Sequence, residues 1–295
     1  MRFSFDVHRP GKVKSLLKEH DISKGLLAKI KFKGGAIYVN GHERNAIYMV
    51  DIGDTITVDI PDELPYEKLE PIEVPLSVVA EDDHFLVLNK PSGVASIPSV
   101  NHSNTMANFV KGYFMKKQYP NLQVHIVTRL DRDTSGLMLF AKHGYAHARL
   151  DKQLQQKAIE KRYYALVSGD DELPSKGEII APIARDEDSI ITRRVHKSGK
   201  YAHTSYQVVA SYGKVHLVDI QLHTGRTHQI RVHFAHLGFP LLGDDLYGGR
   251  MDLGITRQAL HCHTLSFFDP FKKERVVHEL GLTNDFGNVI MSLEK

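Results

Sequence analysis

Hydrophobic residues recur at helical spacing close to the start of the chain. Over residues 12–33 they stand three or four positions apart on both sides of a polar break at 21–23, which predicts two short helices. The segments 34–41 and 53–58 then alternate apolar and polar residues, which predicts two strands, the first ending in an Asn-Gly turn. Two helices followed by two strands predict a small compact unit.

The rest of the chain mixes strand and helix patterns. Short apolar runs predict strands, at 85–88, 124–127, 137–141, 163–167, 208–212 and 215–222. Ala146, Leu150 and Leu154 are spaced by four and predict a helix. A further helix is expected to be capped by Thr224 and to end at Gly238. These patterns predict an α+β fold.

Charge and proline divide the chain into unequal parts. Residues 1–50 hold ten Lys/Arg against four Asp/Glu, whereas 51–75 hold eight acids and the single base Lys68. Four prolines between 61 and 75 break any regular pattern, so a linker is predicted there. A basic unit on an acidic connector favours a polyanion-binding module, although a solvated charge run fits the charges almost as well.

Composition narrows the class of protein. A length of 295 residues and a hydrophobic content of 42% allow one large core with a small appended domain. Cys262 is the single cysteine, which excludes a disulfide framework and zinc sites built on cysteine pairs. The sequence shows neither a signal-peptide pattern nor an apolar run of membrane-spanning length, so a cytoplasmic protein is expected.

The chemistry is expected in three segments, the first of which is a polar loop at 128–136. The loop lies between two predicted strands, where reactive side chains are usually displayed. It contains Asp131 and Asp133, with Arg129 and Arg132 beside them. A carboxylate can attack an anomeric carbon or take a proton from a sugar, and nearby guanidinium groups keep it ionised. Chemistry alone does not separate the two carboxylates, and a solvated salt-bridge loop fits equally well.

The second segment, 222–233, joins a strand to the start of a helix. Arg226 and Arg231 beside a helix N-terminus favour binding of an anion, either a phosphate or the carboxylate of another loop. Helix capping with solvated arginines is the alternative. The histidines of this stretch face several ways around the helix, so RNA contact or packing is favoured over a metal site.

The third segment is 161–167, a predicted strand that begins with Lys161 and contains Tyr163 and Tyr164. Tyrosine offers a flat face for stacking a base and a hydroxyl for proton transfer. Alternate residues of a strand face opposite sides, so at most one of the two tyrosines enters a given pocket. The other is expected in the core.

These segments together resemble the RluA family of pseudouridine synthases, from about residue 76 onward. The run Arg-Leu-Asp-x-x-Thr-Ser-Gly at 129–136 is similar to the catalytic motif of the family, and 161–169 and 224–233 are similar to its second and third motifs. Shorter matches stand in family order, at 89–93, 243–248 and 259–261. The resemblance implies a pseudouridine synthase catalytic domain, with a mixed, mainly antiparallel sheet flanked by helices and loops.

The resemblance also implies a role for individual residues. Asp131 is expected to attack the ribose or to abstract its neighbouring proton, which releases a uracil that turns and rejoins through carbon. Arg226 is expected to pair with Asp131, and Tyr163 to stack on the uracil and assist proton removal. Arg129 is expected to help extrude the target base. Further RNA contacts are expected without any cofactor or metal, from Arg132, Thr134, Lys161, His228 and Arg231.

Residues 1–60 resemble the S4-like RNA-binding module found at the front of some members of that family. The expected division is an S4-like α+β domain at 1–60, a linker at 61–75 and the catalytic domain at 76–295. Two positions depart from the family pattern, Thr128 and Asp269, where histidine is common. A monomer that binds a stem-loop of ribosomal or transfer RNA is expected.

Two other functions stay open on the sequence. A non-catalytic RNA-binding or RNA-folding protein could keep the same scaffold, but it would not require a carboxylate facing a polyanion. A glycosidase or nucleosidase would require a second acid at a defined distance, and the sequence assigns none. Isomerisation of uridine to pseudouridine in structured RNA is the hypothesis that accounts for Asp131, Tyr163 and Arg226 together.

Overall fold

The computed structural model describes residues 1–63, 67–99, 102–189 and 191–295. The elements described before residue 63 are β1 (Arg2–Asp6), β2 (Gly11–Lys12), α1 (Val13–Glu19), α2 (Lys24–Phe32), β3 (Ala36–Val39), β4 (His42–Glu43), β5 (Met49–Val50) and β6 (Thr55–Asp59). An antiparallel sheet has the order β1, β6, β3, β4, and β2 pairs with β5. Leu17, Ile30 and Val58 are fully buried in one cluster. The two predicted helices and two predicted strands are confirmed.

Strand β1 is not predicted by the sequence pattern. It is five residues long and only partly buried, so its alternation is a weak signal. It forms because all five residues pair with β6, and Arg2 closes the pair by donating two hydrogen bonds of 2.7 Å to Asp59. The partner strand lies at the far end of the unit, so tertiary pairing rather than local sequence makes this strand.

Most elements after residue 76 build one large sheet with helices on both faces, and two short strands, residues 183–185 and 193–195, form a separate antiparallel pair. In the described residues they are β7 (Val78–Glu81), β8 (Phe85–Lys90), α3 (Met106–Lys116), β9 (His125–Ile126), β10 (Ser135–Ala141), α4 (Gly144–Gln155), β11 (Glu160–Ser168), β12 (Lys176–Ile180), β13 (Ile183–Arg185), β14 (Arg193–Val195), β15 (His203–Tyr212), β16 (Val215–Leu222), α5 (Gln229–His236), β17 (Leu260–Asp269), β18 (Glu274–Glu279) and α6 (Asn284–Leu293). None of the helices described here has both the length and the apolar character needed to span a membrane.

The strands of the large sheet lie in the order β12, β15, β16, β11, β17, β10, β8, β7, with β18 beside β17 and β9 beside β10. Strands β10 and β17 run parallel, and the other described neighbours are antiparallel. At the parallel contact Gly136 has a φ of 112°, and a Cβ atom there would lie 2.2 Å from the carbonyl oxygen of Cys262. Glycine is therefore required where the 128–136 loop enters the sheet. The predicted mixed, mainly antiparallel sheet is confirmed.

Both faces of this sheet are covered by helices. Helices α4 and α5 pack on the core that contains Leu139, whereas α3 packs on the core that contains Phe140. Leu139 and Phe140 are neighbours in β10 and so face opposite sides. Every residue of β10 is buried, which explains why the sequence shows an unbroken apolar run there instead of an alternating one.

Helix α5 begins later than the sequence predicts. His228 has a φ of 56°, in the left-handed region, and the helix starts at Gln229. The predicted cap at Thr224 is wrong, because the Thr224 hydroxyl donates to the Gln229 side chain at 2.8 Å and accepts from the backbone N–H of His203 at 2.9 Å. Residues 224–228 are thus a separate loop fastened to β15. The predicted end of the helix at Gly238 is confirmed by its φ of 83°.

The predicted linker at 61–75 includes residues 64–66, which lie outside the described residues. Farther along, the segment runs against α3. The Ile72 N–H donates to the carbonyl oxygen of Asn108 at 3.0 Å, and the Asn108 side chain donates to the carbonyl oxygen of Glu70 at 2.8 Å. The part of the segment around residues 70–72 is therefore fixed on the larger sheet unit by backbone hydrogen bonds.

The N-terminal unit packs directly on the larger part of the chain. Tyr145 of α4 is 1% exposed within the core of the N-terminal unit, and its hydroxyl donates to the carbonyl oxygen of His20 at 2.8 Å. Glu63 accepts from Lys29 at 3.1 Å on one side of this seam and lies 2.7 Å from Nε2 of His125 on the other. The seam is thus both apolar and ionic.

Candidate active site

A cleft of about 940 Å³ opens where the 128–134 loop faces the start of β11 and the loop before α5. All nine residues that the sequence assigns to catalysis or RNA contact line it, namely Asp131, Tyr163, Arg226, Arg129, Arg132, Thr134, Lys161, His228 and Arg231. They come from three segments that are distant in sequence. The order of the strands in the large sheet brings them together.

The loop that carries Asp131 is held from behind by a buried lysine. Lys90 is 0% exposed, and its Nζ donates to the carbonyl oxygens of Pro91, Val94 and Arg132 at 2.7, 2.7 and 2.8 Å. Burial lowers the pKa of Lys90 to about 7, although the nearby carboxylates act in the opposite direction. Three acceptors match the three N–H groups of an ammonium ion. Lys90 therefore connects the turn after β8 to the loop that carries Asp131.

Serine and arginine side chains tie the neighbouring carbonyl groups of the same loop. The Ser96 hydroxyl donates to the carbonyl oxygen of Leu130 at 2.6 Å and accepts from its N–H at 3.1 Å. Arg257 and Ser92 both donate to the carbonyl oxygen of Asp133, at 3.2 and 3.0 Å. The backbone is thus restrained on both sides of Asp131. This restraint holds the Asp131 side chain in position before any molecule binds.

The structure separates Asp131 from Asp133. Arg132 donates from Nε and Nη2 to Asp133 at 3.0 and 2.9 Å. The Asp133 carboxylate is therefore already paired with a guanidinium of its own loop. The side chain of Asp131 is half-buried and faces the cleft. Asp131 takes part in none of the ion pairs found among the described residues. Asp131 is therefore the carboxylate that the cleft presents to a bound molecule.

Tyr163 lies in the wall of the cleft and Tyr164 on the other side of the strand. Tyr163 is 4% exposed and faces Cys262 in the pairing of β11 with β17. Burial raises the pKa of Tyr163 well above 10, and the charge of Asp131 raises it further, so the phenol keeps its proton. The ring of Tyr164 stacks on His263 at 3.8 Å. The predicted alternation is confirmed.

One amide side chain shapes the loop that leads into α5. The Oε1 atom of Gln229 accepts from the N–H of Arg226 at 2.9 Å and from the Thr224 hydroxyl at 2.8 Å. Its Nε2 atom donates to the carbonyl oxygen of His203 and to the Thr204 hydroxyl, both at 3.0 Å. Every hydrogen-bonding group of this buried amide is engaged, which fixes the loop against β15.

The predicted ion pair between Asp131 and Arg226 is not formed in the part of the chain that the structure describes. Arg226 is exposed, and its Nε donates to the carbonyl oxygen of Tyr201 at 2.9 Å. The Arg226 N–H donates to Oε1 of Gln229 and its guanidinium donates to Tyr201, and these two bonds hold the residue on the rim of the cleft. The pairing role is therefore corrected, and Arg226 is a rim cation.

Arg231 is the buried guanidinium whose charge acts on Asp131. It is 4% exposed, and its Nε and Nη2 each donate to Asp244 at 2.7 Å. Burial by itself lowers the pKa of Arg231. The hydrogen bonds to Asp244 and the charges of Asp244 and Asp131 outweigh this effect and raise the pKa. A guanidinium used in this way is not available to a phosphate. In the structure the Arg231 guanidinium is bonded to Asp244 instead of lying open for the predicted RNA contact.

The other residues predicted to contact RNA differ in how exposed their side chains are. Arg129 and Arg132 are exposed at the rim, and Arg132 is bonded within its own loop. Thr134 is 2% exposed and its hydroxyl accepts from Gln258 at 3.3 Å, so this side chain holds the loop rather than RNA. Lys161 is half-buried, and burial lowers its pKa. Arg129 is the residue of this group with an accessible charge and no bond within the loop.

The histidines of the 222–233 segment have different roles. His233 is fully buried, with Nδ1 2.9 Å from the Thr204 hydroxyl and Nε2 3.0 Å from the carbonyl oxygen of Ala181. His228 lies 2.8 Å from the hydroxyl of Tyr247. In the described ranges, no group of three or more His, Cys, Asp or Glu residues has the arrangement of a metal site.

Sequence reasoning missed the residues that support the site, namely Lys90, Gln229, Asp244 and Arg257. The first three stand inside stretches that resemble the family, so a signal was present. Their role was not readable, because burial and hydrogen-bond partners do not follow from a motif. Arg257 stands outside every such stretch.

Comparisons with known proteins agree with this geometry. A sequence model described as RNA pseudouridylate synthase matches residues 84–236. The "Uncharacterized RNA pseudouridine synthase YjbO" of Bacillus subtilis is 43% identical over 94% of this chain and 98% of its own length. Ribosomal large subunit pseudouridine synthase D of Zymomonas mobilis is 35% identical over 82% and 80%. The solved structure of human RNA Pseudouridylate Synthase Domain Containing 4 has a TM-score of 0.62 at 21% identity, covering 74% of this chain and 93% of that chain.

Proposed function

The chain belongs to the RNA pseudouridylate synthase family, and on that basis we propose the roles of its cleft residues and the class of its RNA. It converts uridine in RNA to pseudouridine. The C1′–N1 bond of the nucleotide breaks and a C1′–C5 bond forms, so the reaction is redox-neutral. The relatives give no support to a non-catalytic RNA-binding protein.

One observation supports the assignment of the catalytic residue. Asp131 is a half-buried carboxylate without an ion pair among the described residues, on a loop whose carbonyl groups are tied on both sides. Asp131 attacks C1′ or takes the neighbouring ribose proton, and either route frees the uracil. The uracil then turns, C5 bonds to C1′, the C5 proton leaves and N1 gains a proton.

The surrounding residues assist in distinct ways. Arg231 places a buried positive charge close to Asp131, where the two charges attract each other. Tyr163 stacks on the uracil, and because its phenol keeps its own proton it assists removal of the C5 proton by a hydrogen bond and not as the base. Arg129 and Arg226 are exposed at the rim, where they contact phosphates and help hold the nucleotide out of its stack.

The RNA is proposed to be a structured segment of ribosomal RNA, because one named relative acts on the large ribosomal subunit. Residues 1–60 are proposed to be an S4-like RNA-binding domain that precedes a catalytic domain. Exposed lysines on and beside α1 and α2 provide its phosphate contacts. The enzyme is proposed to act as a monomer in the cytoplasm.

The test compares two carboxylates of one loop. Asp131→Asn is expected to abolish pseudouridine formation while RNA affinity stays within about threefold, because the change removes the reactive oxygen and keeps the shape. Asp133→Asn, the matched control, is expected to stay within about tenfold of wild type in kcat. The measurement maps pseudouridine in total RNA from cells with and without each variant. Identical maps in every RNA class for wild type and Asp131→Asn would refute the proposal.

A further inference from the structure

Tyr247 joins the antiparallel strand pair β13–β14 to the cleft. The backbone N–H of Arg193 in β14 donates to the Tyr247 hydroxyl at 2.9 Å, and that hydroxyl lies 2.8 Å from Nδ1 of His228. The Tyr247 ring also lies 4.9 Å from the guanidinium carbon of Arg231. The tyrosine is therefore in contact with two residues that line the cleft.

The direction of the bond to His228 follows from the single proton of the hydroxyl. Burial raises the pKa of Tyr247, so the phenol keeps that proton. Arg193 occupies one lone pair of the oxygen, and Nδ1 of His228 is the acceptor within reach among the described residues. If Nδ1 were the donor, the phenol proton would have no partner there. Nδ1 accepts, and the neutral ring carries its proton on Nε2.

The imidazole is also kept neutral. Burial lowers the pKa of His228, as do the charges of Arg231 and Arg193, while Asp131 and Asp244 act in the opposite direction. The ring lines the cleft, and its Nε2 has no hydrogen-bond partner among the residues that the structure describes. A fixed, uncharged N–H group is thus open to a molecule bound beside Asp131.

We propose that His228 donates a hydrogen bond from Nε2 to a carbonyl oxygen of the uracil ring, an inference that rests on the proposed function. When the C1′–N1 bond breaks, its electron pair passes to the uracil and negative charge spreads to the carbonyl oxygens. A donor aimed at that oxygen stabilises the charge as it develops. A neutral ring does so without pairing with Asp131, as an imidazolium would. No proton is transferred in this step.

The first experiment measures single-turnover rates and RNA affinity separately. His228→Ala is expected to lower the rate about 100-fold, the usual effect of removing one such donor, with RNA affinity within about threefold. His228→Gln is expected to recover at least about tenfold of that loss, because its amide N–H can replace Nε2–H. His236→Ala, an exposed histidine at the end of α5, is the matched control and keeps the wild-type rate. A wild-type rate in His228→Ala overturns the proposal.

The second experiment identifies the atom on the RNA. Substrates carry 2-thiouridine or 4-thiouridine at the target, because sulfur is a weaker acceptor than oxygen. One of the two is expected to slow wild type more than it slows His228→Ala. Equal slowing of both proteins by both thiouridines overturns the contact.

The third experiment observes the imidazole directly. Nitrogen NMR of labelled histidine is expected to show the Nε2–H form of His228 in wild type. Tyr247→Phe keeps the ring beside Arg231 and is expected to raise the His228 pKa by about one unit, because the hydrogen bond that favours the neutral form is lost. An Nδ1–H form in wild type overturns the proposal. Absence of pseudouridine with wild-type protein would instead refute the proposed function, so the two failures are distinguishable.

Discussion

The catalytic part and the N-terminal part of the molecule both carry many cationic side chains, but they expose them differently. Around the cleft, Lys90 and Arg231 are buried, and each donates to fixed oxygen atoms at 2.8 Å or less. In the N-terminal unit, Lys14, Lys24 and Lys33 are exposed, and the described structure gives them no ion pair.

This difference separates cations that position a loop from cations that attract the phosphates of RNA. A buried cation bonded to fixed oxygen atoms holds those atoms in one geometry, and its loss leaves buried partners unpaired. An exposed lysine attracts phosphate at long range, is screened by salt and imposes little geometry. Changes around the cleft should therefore alter stability and rate, whereas changes in the N-terminal unit should alter RNA affinity and its dependence on salt.

The largest effect is expected from Asp244→Asn. This change leaves Arg231 buried beside a neutral amide, with the charge of its partner removed, and we expect the free energy of unfolding to fall by about 3 to 5 kcal/mol. Asp252→Asn is the matched control, because Asp252 pairs with Arg250 at 2.7 Å on the surface. Its expected cost is much smaller, because an exposed ion pair is screened by solvent. Urea denaturation measures both, and equal costs would contradict the distinction between buried and exposed cations.

Lys90→Met is expected to act mainly on the rate. Without the ammonium the carbonyl group of Arg132 loses its donor, the Asp131 loop shifts, and we expect kcat to fall about 100-fold while RNA affinity changes little. Lys90→Arg serves as a second variant, because it keeps the charge and so the fold but cannot match three convergent carbonyl groups. Lys33→Met, at an exposed position, is the control. Wild-type kcat in both Lys90 variants would show that the loop needs no such support.

Glu63→Gln tests the seam that joins the two parts. Burial alone would raise the pKa of Glu63, but hydrogen bonds from His125, Lys29 and the Gly144 N–H lower it to about 2. A carboxylate whose pKa is lowered in the folded protein stabilises the folded state at pH values above its ordinary pKa. This contribution is lost as the pH falls toward the pKa of the folded state. We expect the free energy of unfolding of wild type to exceed that of the variant by about 2 kcal/mol at pH 7.

The pH dependence of that difference provides the check. Unfolding in urea is measured from pH 7 downward, and the gap between wild type and Glu63→Gln is expected to close between about pH 5 and pH 2. Glu73→Gln removes an exposed partner of Lys116 and should show no such gap. A gap that is constant across this pH range would show that the Glu63 charge does not stabilise the seam.

The smallest effect is expected from the exposed lysines. A triple change of Lys14, Lys24 and Lys33 to Gln should weaken RNA binding by about tenfold or less at physiological salt. Each lost phosphate contact should make the slope of log affinity against log salt shallower by about 0.7 to 0.9. Filter binding at several salt concentrations measures both. An unchanged slope would show that residues 1–60 do not contact RNA.

Much of the fold follows from local patterns in the sequence. The two N-terminal helices, the strand with Tyr163 and the end of α5 are confirmed, because periodicity and glycine act over a few residues. Strand β1 is not predicted, and the start of α5 is predicted too early in the chain. The first depends on pairing with β6, and the second on the side chain of Gln229, so both depend on contacts that local sequence does not contain.

The candidate site divides in the same way. All nine predicted residues line one cleft. They could be predicted from the sequence because a carboxylate, a tyrosine and basic residues are each suited to few kinds of chemistry. The sequence did not distinguish Asp131 from Asp133 by chemistry, and the resemblance assigned Arg226 as the partner of Asp131 where the structure has the charge of Arg231 acting on it. Both pairs contain identical side chains a few residues apart, so only their burial and partners separate them.

By itself, the sequence determined the order of the elements, the segments that carry the chemistry and the resemblance to a family, since these depend on residue type and spacing. Only the tertiary structure decided that Arg231 is buried against Asp244 while Arg226 lies on the rim, and that Lys90 reaches the Asp131 loop. The physical reason is that the charge state and orientation of a side chain are set by the atoms around it, and those atoms come from distant parts of the chain.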